Sequence, residues 1–457
     1  MIKEKNCELK EKTKKLSIKE GIASSVMDGA GVKYITPYAL ALGANNSQIG
    51  FLTSIPTLLG NLSQLFTYKA IKKYSRKKVI TFGVFLQALM WIPIIFVGYL
   101  YFYHGINHGF SATLIILFYT LFTLFGAFIS PAWNSLIKDN VDKCRGNYFS
   151  KRSKIIEFIG LIVMLICGLL LNFFSGINLF LGFGILFGIA FFARLTSAYL
   201  LSKHYEPKLK LEKQYYFSIT QFIKGIPKSN FGKFTVAVAL INFASYIASP
   251  FFSVYILKGL GVNYAVWTLI VVFNILGLLI SVPFWGKFSD NYGNLKVLKW
   301  TGSLIPLIPV FWFLTFFVVK INFVFAIIYL LAVELFSGII WAGFNLCAKN
   351  FIYDAVTPQK LALCISYYNI LSGIGVFIGA TIGGTIASMN FNIFGIGPIL
   401  FVFLLSALIR ILSYVALMPK IKEVRGVKEY QDGEFGRELR EVLTPAPFRH
   451  TKYHSIN

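Results

Sequence analysis

Twelve predominantly apolar stretches, most of them about 20 residues or longer, follow one another along the chain with short polar gaps between them. They lie near 22–43, 49–68, 79–103, 112–136, 155–174, 179–202, 234–257, 265–286, 297–319, 322–348, 361–388 and 395–418. About 20 residues of helix cross roughly 30 Å of hydrocarbon, so the pattern predicts twelve transmembrane helices. The polar positions carry a second signal. Lys and Arg collect in every second gap: Lys3 to Lys19, Lys69 to Lys78, Lys138 to Lys154, Lys203 to Lys233, Lys287 to Lys299, Lys349 with Lys360, and Lys420 to Lys452. The opposite side has only Lys258 and Lys320. By the positive-inside rule the basic side is cytoplasmic, which places both termini there and requires an even number of crossings.

Composition agrees with this reading. At 56% hydrophobic and 14% charged, with 46 Phe among 457 residues, the chain holds more apolar surface than one water-soluble core encloses. Its net charge of +25 follows the two sides of a membrane and not one folded surface, so no nucleic-acid partner is expected. The Lys- and Glu-rich first 20 residues lack the apolar core and cleavage site of a signal peptide, and the first span is expected to direct insertion. Cys7 and Cys144 fall on the basic side and Cys167, Cys347 and Cys364 in or beside helices, which gives no extracellular disulfide pattern. There is no phosphate-binding glycine-lysine loop and no paired-histidine zinc motif, and the spacing of His104 and His108 reads as incidental. The expectation is a non-enzyme without catalytic residues, cofactor or metal.

The two halves repeat. Leu42, Gly43 and Asn45 recur as Leu260, Gly261 and Asn263 at an offset of 218, and the basic loop Lys72 to Lys77 maps onto Asp290 to Leu295. Asp139 with Arg145 maps onto Asp354 with Lys360 at 215, Gly160 and Gly168 onto Gly375 and Gly383, and Arg194 and Ser197 onto Arg410 and Ser413 at 216. Matches in order at nearly one offset argue for two parallel six-helix halves. The chain therefore divides into a cytoplasmic N-terminal segment 1–21, a six-helix bundle 22–202, a cytoplasmic linker 203–233, a second bundle 234–418 and a cytoplasmic tail 419–457. The linker stretch Tyr215 to Ile223 reads either as a short interfacial helix or as a solvated loop. The tail, of mixed charge with Gly and Pro, reads as mobile.

After the eighth span the chain reads Gly286, three residues, Asp290, two residues, Gly293. With twelve spans, duplicated halves and a long middle loop, this resembles the major facilitator superfamily, whose signature between the second and third helices of each half is a glycine, an acid, a second glycine and then basic residues. Here Asn294 and Leu295 stand where the basics usually are. In the first half Lys72 replaces the acid and Ser75 the second glycine. The resemblance implies a helical carrier fold in which Gly286, Asp290, Gly293, Asp139 and Arg145 form a cytoplasmic gate, the acids pairing with basic groups or helix ends of the partner half. The stretch Pro131, Ala132, Trp133, Asn134 leading to Asp139, Arg145 and Tyr148 looks like poorly characterised prokaryotic members. The arginine and glycine-proline motifs that drug antiporters often carry in the fourth and fifth helices are missing.

The resemblance also implies that the first, fourth, seventh and tenth helices line a central cavity, and all four carry polar stripes at helical spacing. Candidate substrate contacts are Lys33, Tyr119, Trp133, Asn134, Asn242, Tyr246, Trp341 and Asn345. Close packing of small polar residues is the ordinary alternative for such stripes. Charges discriminate better, because a mid-helix charge costs about 2.5 to 3.5 kcal/mol on the insertion scale and seldom faces lipid. Glu334 is expected to take a proton or cation and Lys33 to meet a substrate anion or serve as its counter-ion. A static salt bridge between them is the competing reading. Asp28, about 140° around the helix from Lys33, is grouped with Glu334 as a second candidate for proton coupling. Arg194 and Arg410 are expected either to snorkel to headgroups or to bond helix ends. Glycines 375, 379 and 383 permit close helix contact, either as tight packing or as a sliding surface between halves.

The sequence thus predicts a monomeric, multi-pass secondary transporter of the cell membrane, surrounded by lipid. It would move a small organic anion or zwitterion by alternating access, with proton coupling inferred from Glu334. A receptor or scaffold on the carrier fold and a lipid transporter are the alternatives.

Overall fold

The computed structural model describes residues 2–141, 145–207, 218–357, 360–393 and 395–428, together with Glu434, Gly436 and Leu439. Among the described residues the only β-structure is one isolated bridge, Ile393 to Ile396. Everything else of regular form is helical. Helix 1 runs Ile2–Ala30, tightens into a 3-10 turn Val32–Tyr34, and resumes as Ile35–Ala41. Helix 2 is Asn46–Lys73, helix 3 Arg76–His104, helix 4 His108–Asn140, helix 5 Arg145–Ser175 and helix 6 Leu179–Ser202. A short helix, Ile219–Gly225, begins at a Ser218 and Gln221 capping box. Then come helix 7, Asn230–Gly259, helix 8, Tyr264–Tyr292, helix 9, Asn294–Ile321, helix 10, Phe323–Ala355, helix 11, Leu361–Ala387, and helix 12, Pro398–Leu417.

Ten of these, helices 3 to 12, are long and apolar enough to cross a membrane. Helices 1 and 2 fall short for separate reasons. Helix 1 has no boundary near residue 21 and continues back through the Lys- and Glu-rich segment to Ile2. Helix 2 carries Asn46, Ser47, Gln48, Thr53, Thr57, Asn61 and Gln64, most of which turn out to hold contacts to other helices.

The duplication is visible in the backbone. Gly43 and Gly261 both take positive φ, +80° and +66°, which only glycine adopts freely. Two residues later Asn45 and Asn263 cap helices 2 and 8, accepting from the backbone N–H groups of Gln48 and Val266. Arg194 and Arg410 are both buried. Arg194 donates to Gln87, Ser24 and Ser197, and Arg410 to Ser406 and to the carbonyls of Ile305 and Ser245. They staple helices inside each half and do not snorkel.

Hydrophobic packing divides by depth. One core draws on both halves near the ends away from the chain termini, where Tyr34, Trp91 and Phe187 share a cluster with Ile247, Trp267 and Ala387. Toward the face that carries the basic loops, the packing splits. One cluster, including Phe234, Phe288 and Phe351, is built from helices 7 to 12 and the linker helix, with Leu62 of helix 2 packed against it, and a smaller one, including Ile80, Ile129 and Leu136, is built from helices 3, 4 and 6, with Ile71 of helix 2 packed against it.

Close backbone approach sets which helices pair. A Cβ on Gly375, Gly379 or Gly383 would lie 2.4, 2.2 or 2.1 Å from the carbonyl oxygens of Ala239, Phe243 and Ile247. These glycines therefore press helix 11 onto helix 7 of the same half. The surface between halves is different: there Gly50 of helix 2 meets the Ala380 carbonyl and Gly168 of helix 5 meets Thr268.

Candidate functional site

The halves are joined by hydrogen bonds from the face opposite the basic loops down to mid-depth. At that face Lys258 donates to the Ala44 carbonyl at 3.0 Å, Asn46 to the Ala387 carbonyl at 2.5 Å, and Ser47 N–H to Ser388 Oγ at 2.9 Å. Deeper, Tyr34 lies 3.1 Å from Thr268 while donating to Met164 O at 2.6 Å. Asn61 donates to the Asn369 carbonyl at 2.9 Å, and Asn369 to Gln64 at 3.2 Å. The polar stripe of helix 2 is thus largely a seam against helix 11. Nothing in local periodicity separates such a seam from a cavity wall.

Below this closed end the predicted contacts sort themselves. Helix 1 at its 3-10 turn is surrounded on known sides: Tyr34 reaches helices 5 and 8, Gly31 abuts Trp91 and Ala190, and Ile35 and Thr36 face helices 2 and 4. Lys33 lies on the remaining side, exposed, with no ion pair or hydrogen bond among the described residues. Asn242 and Tyr246 are half-buried on helix 7. Their neighbour Ser245 turns instead into the half, its carbonyl accepting from Arg410. Tyr119 and Thr123 share one cavity wall, and both Asp28 and Tyr246 stand within electrostatic reach of the Tyr119 hydroxyl. Lys33 apart, helices 1, 4 and 7 therefore converge on one polar locus formed by Asp28, Tyr119 and Tyr246.

Glu334 occupies the place in helix 10 that Tyr119 occupies in helix 4, at the same offset of 215 as Asp139 and Asp354. Its carboxylate accepts from the indole N–H of Trp312 at 3.0 Å. Asn274 of helix 8 donates to the Glu334 carbonyl at 3.4 Å and to Ser337 at 3.2 Å. Lys33 and Glu334 do not form a salt bridge, because helix 9 supplies the indole that holds the carboxylate. Trp341 is half-buried near Phe344, Asn345 and Asn134 are exposed, and Trp133 is covered by the Arg152 guanidinium at 4.7 Å. Arg152 fills the face that a substrate ring would need at Trp133.

The gate residues pair within halves. Arg76 binds Asp139 at 2.6 Å and donates to Ser135 and Pro207, while its own N–H donates to Glu206 at 2.7 Å. In the second half Arg425, from the segment after helix 12, lies 3.2 Å from Asp354 and 4.0 Å from the exposed Asp290, and donates to the Ser289 carbonyl. Gly293 ends helix 8 at φ +90°. Gly286 sits in the last two turns of helix 8, where an added Cβ would meet Leu346 at 3.9 Å. The side chain of Arg145 lies outside the described residues.

Several of these partners were missed by the sequence reading. Glu20, placed in a cytoplasmic segment, is buried, paired with Arg152 at 3.2 Å and bonded to Ser197. Thr13, Ser17, Glu20 and Ser24 recur at steps of four, three and four, a helical stripe that marks this face. The tail is not mobile as far as Lys428: Asn230 and Lys422 exchange two bonds, Glu423 accepts from Leu295 N–H, and Lys428 N–H donates to Asn291. The rest of the tail, apart from three isolated positions, lies outside the described residues.

A groove of about 1140 Å³ wraps the outer wall of helix 3 and shares no residue with this locus. A smaller cavity of about 170 Å³ lies between helices 1, 2 and 4, walled by Thr36, Thr53, Thr57, Tyr119 and Thr123 and by apolar side chains.

Long apolar helices in two related halves, closed at one end around a polar interior, define a multi-pass membrane transporter. The chain belongs to the Major Facilitator Superfamily, whose family model matches residues 21–352 and 234–453. Solved structures share the fold. The nucleoside transporter NupG matches with a TM-score of 0.62 at 16% identity, over 91% of this chain and 99% of its own. A bacterial homologue of the iron transporter ferroportin, inward-facing, matches at 0.65 and 12%, over 89% and 98%. A bacterial homologue of the human lysosomal transporter Spinster, inward-facing and unoccupied, matches at 0.59 and 15%, over 96% and 99%. No curated protein matches at a significant level.

Proposed function

We propose that this protein is a monomeric secondary carrier of the cell membrane with twelve crossings and both termini in the cytoplasm. It moves a small organic anion or zwitterion by alternating access. The observation that carries this reading is the division of packing by depth: one core shared by both halves away from the basic face, and separate cores toward it. Two bodies whose contact runs from one end to mid-depth, and that pack mainly within themselves beyond it, are built to rock. With the basic face cytoplasmic, the conformation is closed outward. In support, the ferroportin homologue matches better in its inward-facing state, 0.65, than in its outward-facing state, 0.57.

Lys33 is the substrate-anion contact, and Asn242 and Tyr246 of helix 7 are further substrate contacts. Glu334 is the proton or cation site, held by Trp312 and Asn274, and Asp28 assists on the N-terminal side. Reconstitution in liposomes with an imposed proton gradient tests the coupling: Glu334→Gln should abolish proton-driven uptake and leave exchange intact. Unchanged proton-driven uptake would remove Glu334 from that role. The apolar groove on helix 3, with Lys77 and Lys78 on its wall, favours lipid movement as a second reading. In that case transfer of a lipid analogue, and not solute uptake, would follow the Lys33 and Glu334 substitutions.

A further inference from the structure

The cavity between helices 1, 2 and 4 has an uneven supply of donors and acceptors. Thr57 Oγ1 donates to the Thr53 carbonyl at 2.7 Å, and Thr53 Oγ1 to the Ile49 carbonyl at 3.4 Å. Each hydroxyl has one proton. With those protons committed to the helix backbone, both oxygens can only accept from whatever fills the cavity. Leu52 and Pro56 also line it, and because proline has no N–H, the Leu52 carbonyl has no partner at the usual position four residues on. Helix 2 therefore brings two hydroxyl acceptors, Thr53 and Thr57, to the wall. Tyr119 and Thr123 close the cavity on helix 4, and Asp28 stands within electrostatic reach of the Tyr119 hydroxyl.

Hydroxyl acceptors on helix 2, with the Asp28 carboxylate in electrostatic reach of Tyr119, suit a cation with several N–H donors. A polyol fits less well, since each of its hydroxyls also needs a donor. At about 170 Å³ the cavity compares with one of about 150 Å³ that holds a six-membered ring, so an ammonium group with a few attached carbons fits. Lys33 lies next to Val32 on the same 3-10 turn, exposed and unpaired among the described residues. A net cation would be repelled by it, whereas a molecule that also carries a carboxylate would satisfy both ends.

We propose that this threonine-walled cavity holds the ammonium group of a zwitterionic substrate, an amino acid or close analogue, whose carboxylate turns toward Lys33. The proposal rests on Lys33 contacting substrate, as put forward above. Helix 2 supplies the selectivity for the amine, through Thr53 and Thr57.

The test uses the full chain in detergent and follows its thermal unfolding with L-α-amino acids, their N-acetyl derivatives and their amides as probes; a bound probe raises the midpoint by mass action. At least one unmodified amino acid should raise it, and its N-acetyl derivative should not. The double variant Thr53→Val, Thr57→Val keeps the side-chain shape and should weaken that probe about tenfold or more, as expected for lost bonds to a charged donor. Its midpoint without probe serves as the folding control. Lys33→Ala should lose the preference for the amino acid over its amide. N-acetyl derivatives that bind as well as their parents, no response to any amino acid, or unchanged affinity in the double variant would each overturn the amine site. If Lys33→Ala still abolishes binding of an organic anion in those cases, the Lys33 reading survives alone. If Lys33→Ala changes nothing while a probe binds, that underlying reading has failed.

Discussion

A methyl group at Gly50 should tip the balance between the two ends of the carrier. A Cβ built there lies 2.5 Å from the carbonyl oxygen of Ala380, against about 3.3 Å for an ordinary close C···O contact. The atom it meets is helix backbone and has no rotamer to escape into, so helices 2 and 11 must separate by about 0.8 Å at this point. Overpacking of this kind costs about 1 to 3 kcal/mol. In the state closed at this face the cost is paid in full; in a state where the halves part here it vanishes. At 1.4 kcal/mol per factor of ten, Gly50→Ala should shift the ratio of open to closed by about 5- to 100-fold toward open. Ser47 and Ser388, whose hydroxyls lie 2.9 Å apart, mark the same seam and can be replaced by a cysteine pair in a background lacking the five native cysteines. Their rate of disulfide formation in membranes should drop several-fold on adding Gly50→Ala. Gly379→Ala is the control, because its Cβ would strike Phe243 O at 2.2 Å within one half; it should lower thermal stability and leave cross-linking unchanged. Equal cross-linking with and without Gly50→Ala, in a folded protein, would refute helices 2 and 11 as a separating surface.

Three further outcomes follow from the basic face. His204 is buried there; Nδ1 donates to the Leu200 carbonyl at 2.9 Å and Nε2 has no partner. Burial first, and then Arg152 and Lys77, hold the imidazole below its ordinary 6.5 against the opposing pull of that carbonyl and Glu20. The folded state therefore resists a proton that the unfolded chain accepts, so stability should fall as pH drops below about 6.5. His204→Asn, which keeps a donor near Nδ1, should flatten the decline in unfolding midpoint between about pH 7 and pH 5. Arg425→Ala should lower the midpoint of unfolding by an amount matching about 1 kcal/mol, and Asp354→Asn in the same chain should add little further loss, a coupling that a double-mutant cycle measures. Arg194→Leu should cost more, about 3 kcal/mol or above, because it strips a buried network of Gln87, Ser197 and Glu20; chemical unfolding of the reconstituted protein would report it.

Ten of the twelve expected spans have the length and hydropathy that a crossing needs, and they were legible because hydrocarbon thickness imposes that length. Their ends were not. Helix 1 continues to Ile2 because Thr13, Ser17 and Glu20 find partners on Tyr205 and on helices 5 and 6, which mean hydropathy does not register. In the candidate site the polar residues of helices 1, 4 and 7 were legible by period. Their sorting was not: Ser245 faces Arg410, Trp133 lies under Arg152, and Glu334 binds Trp312. Each of those partners lies on a different helix, and stripe spacing is silent about which neighbour fills the space opposite.

The repeat explains both what could be read and what could not. Arg76 opens helix 3 and reaches Asp139, while Glu206 receives the Arg76 N–H. At the matching place in the second half Asn294 opens helix 9 and donates to Asp354 at 2.7 Å, and Glu423 receives the Leu295 N–H at 2.7 Å. The carboxylates and the helix start are duplicated, but the arginine is not. Asparagine brings no charge to Asp354, and Arg425, from 131 positions further along, supplies it at 3.2 Å. The two halves thus reach the same electrostatic arrangement by different routes, one local and one through the chain's end. An offset comparison finds the acids and Asn294 and then stops, because the compensating charge has no counterpart at that offset. Among the described residues this divergence ties the segment after helix 12 to the second half, through Asn230, Asn291, Leu295 and Asp354, so that under the rocking proposed above the segment should travel with that half and keep Asp354 paired in both states.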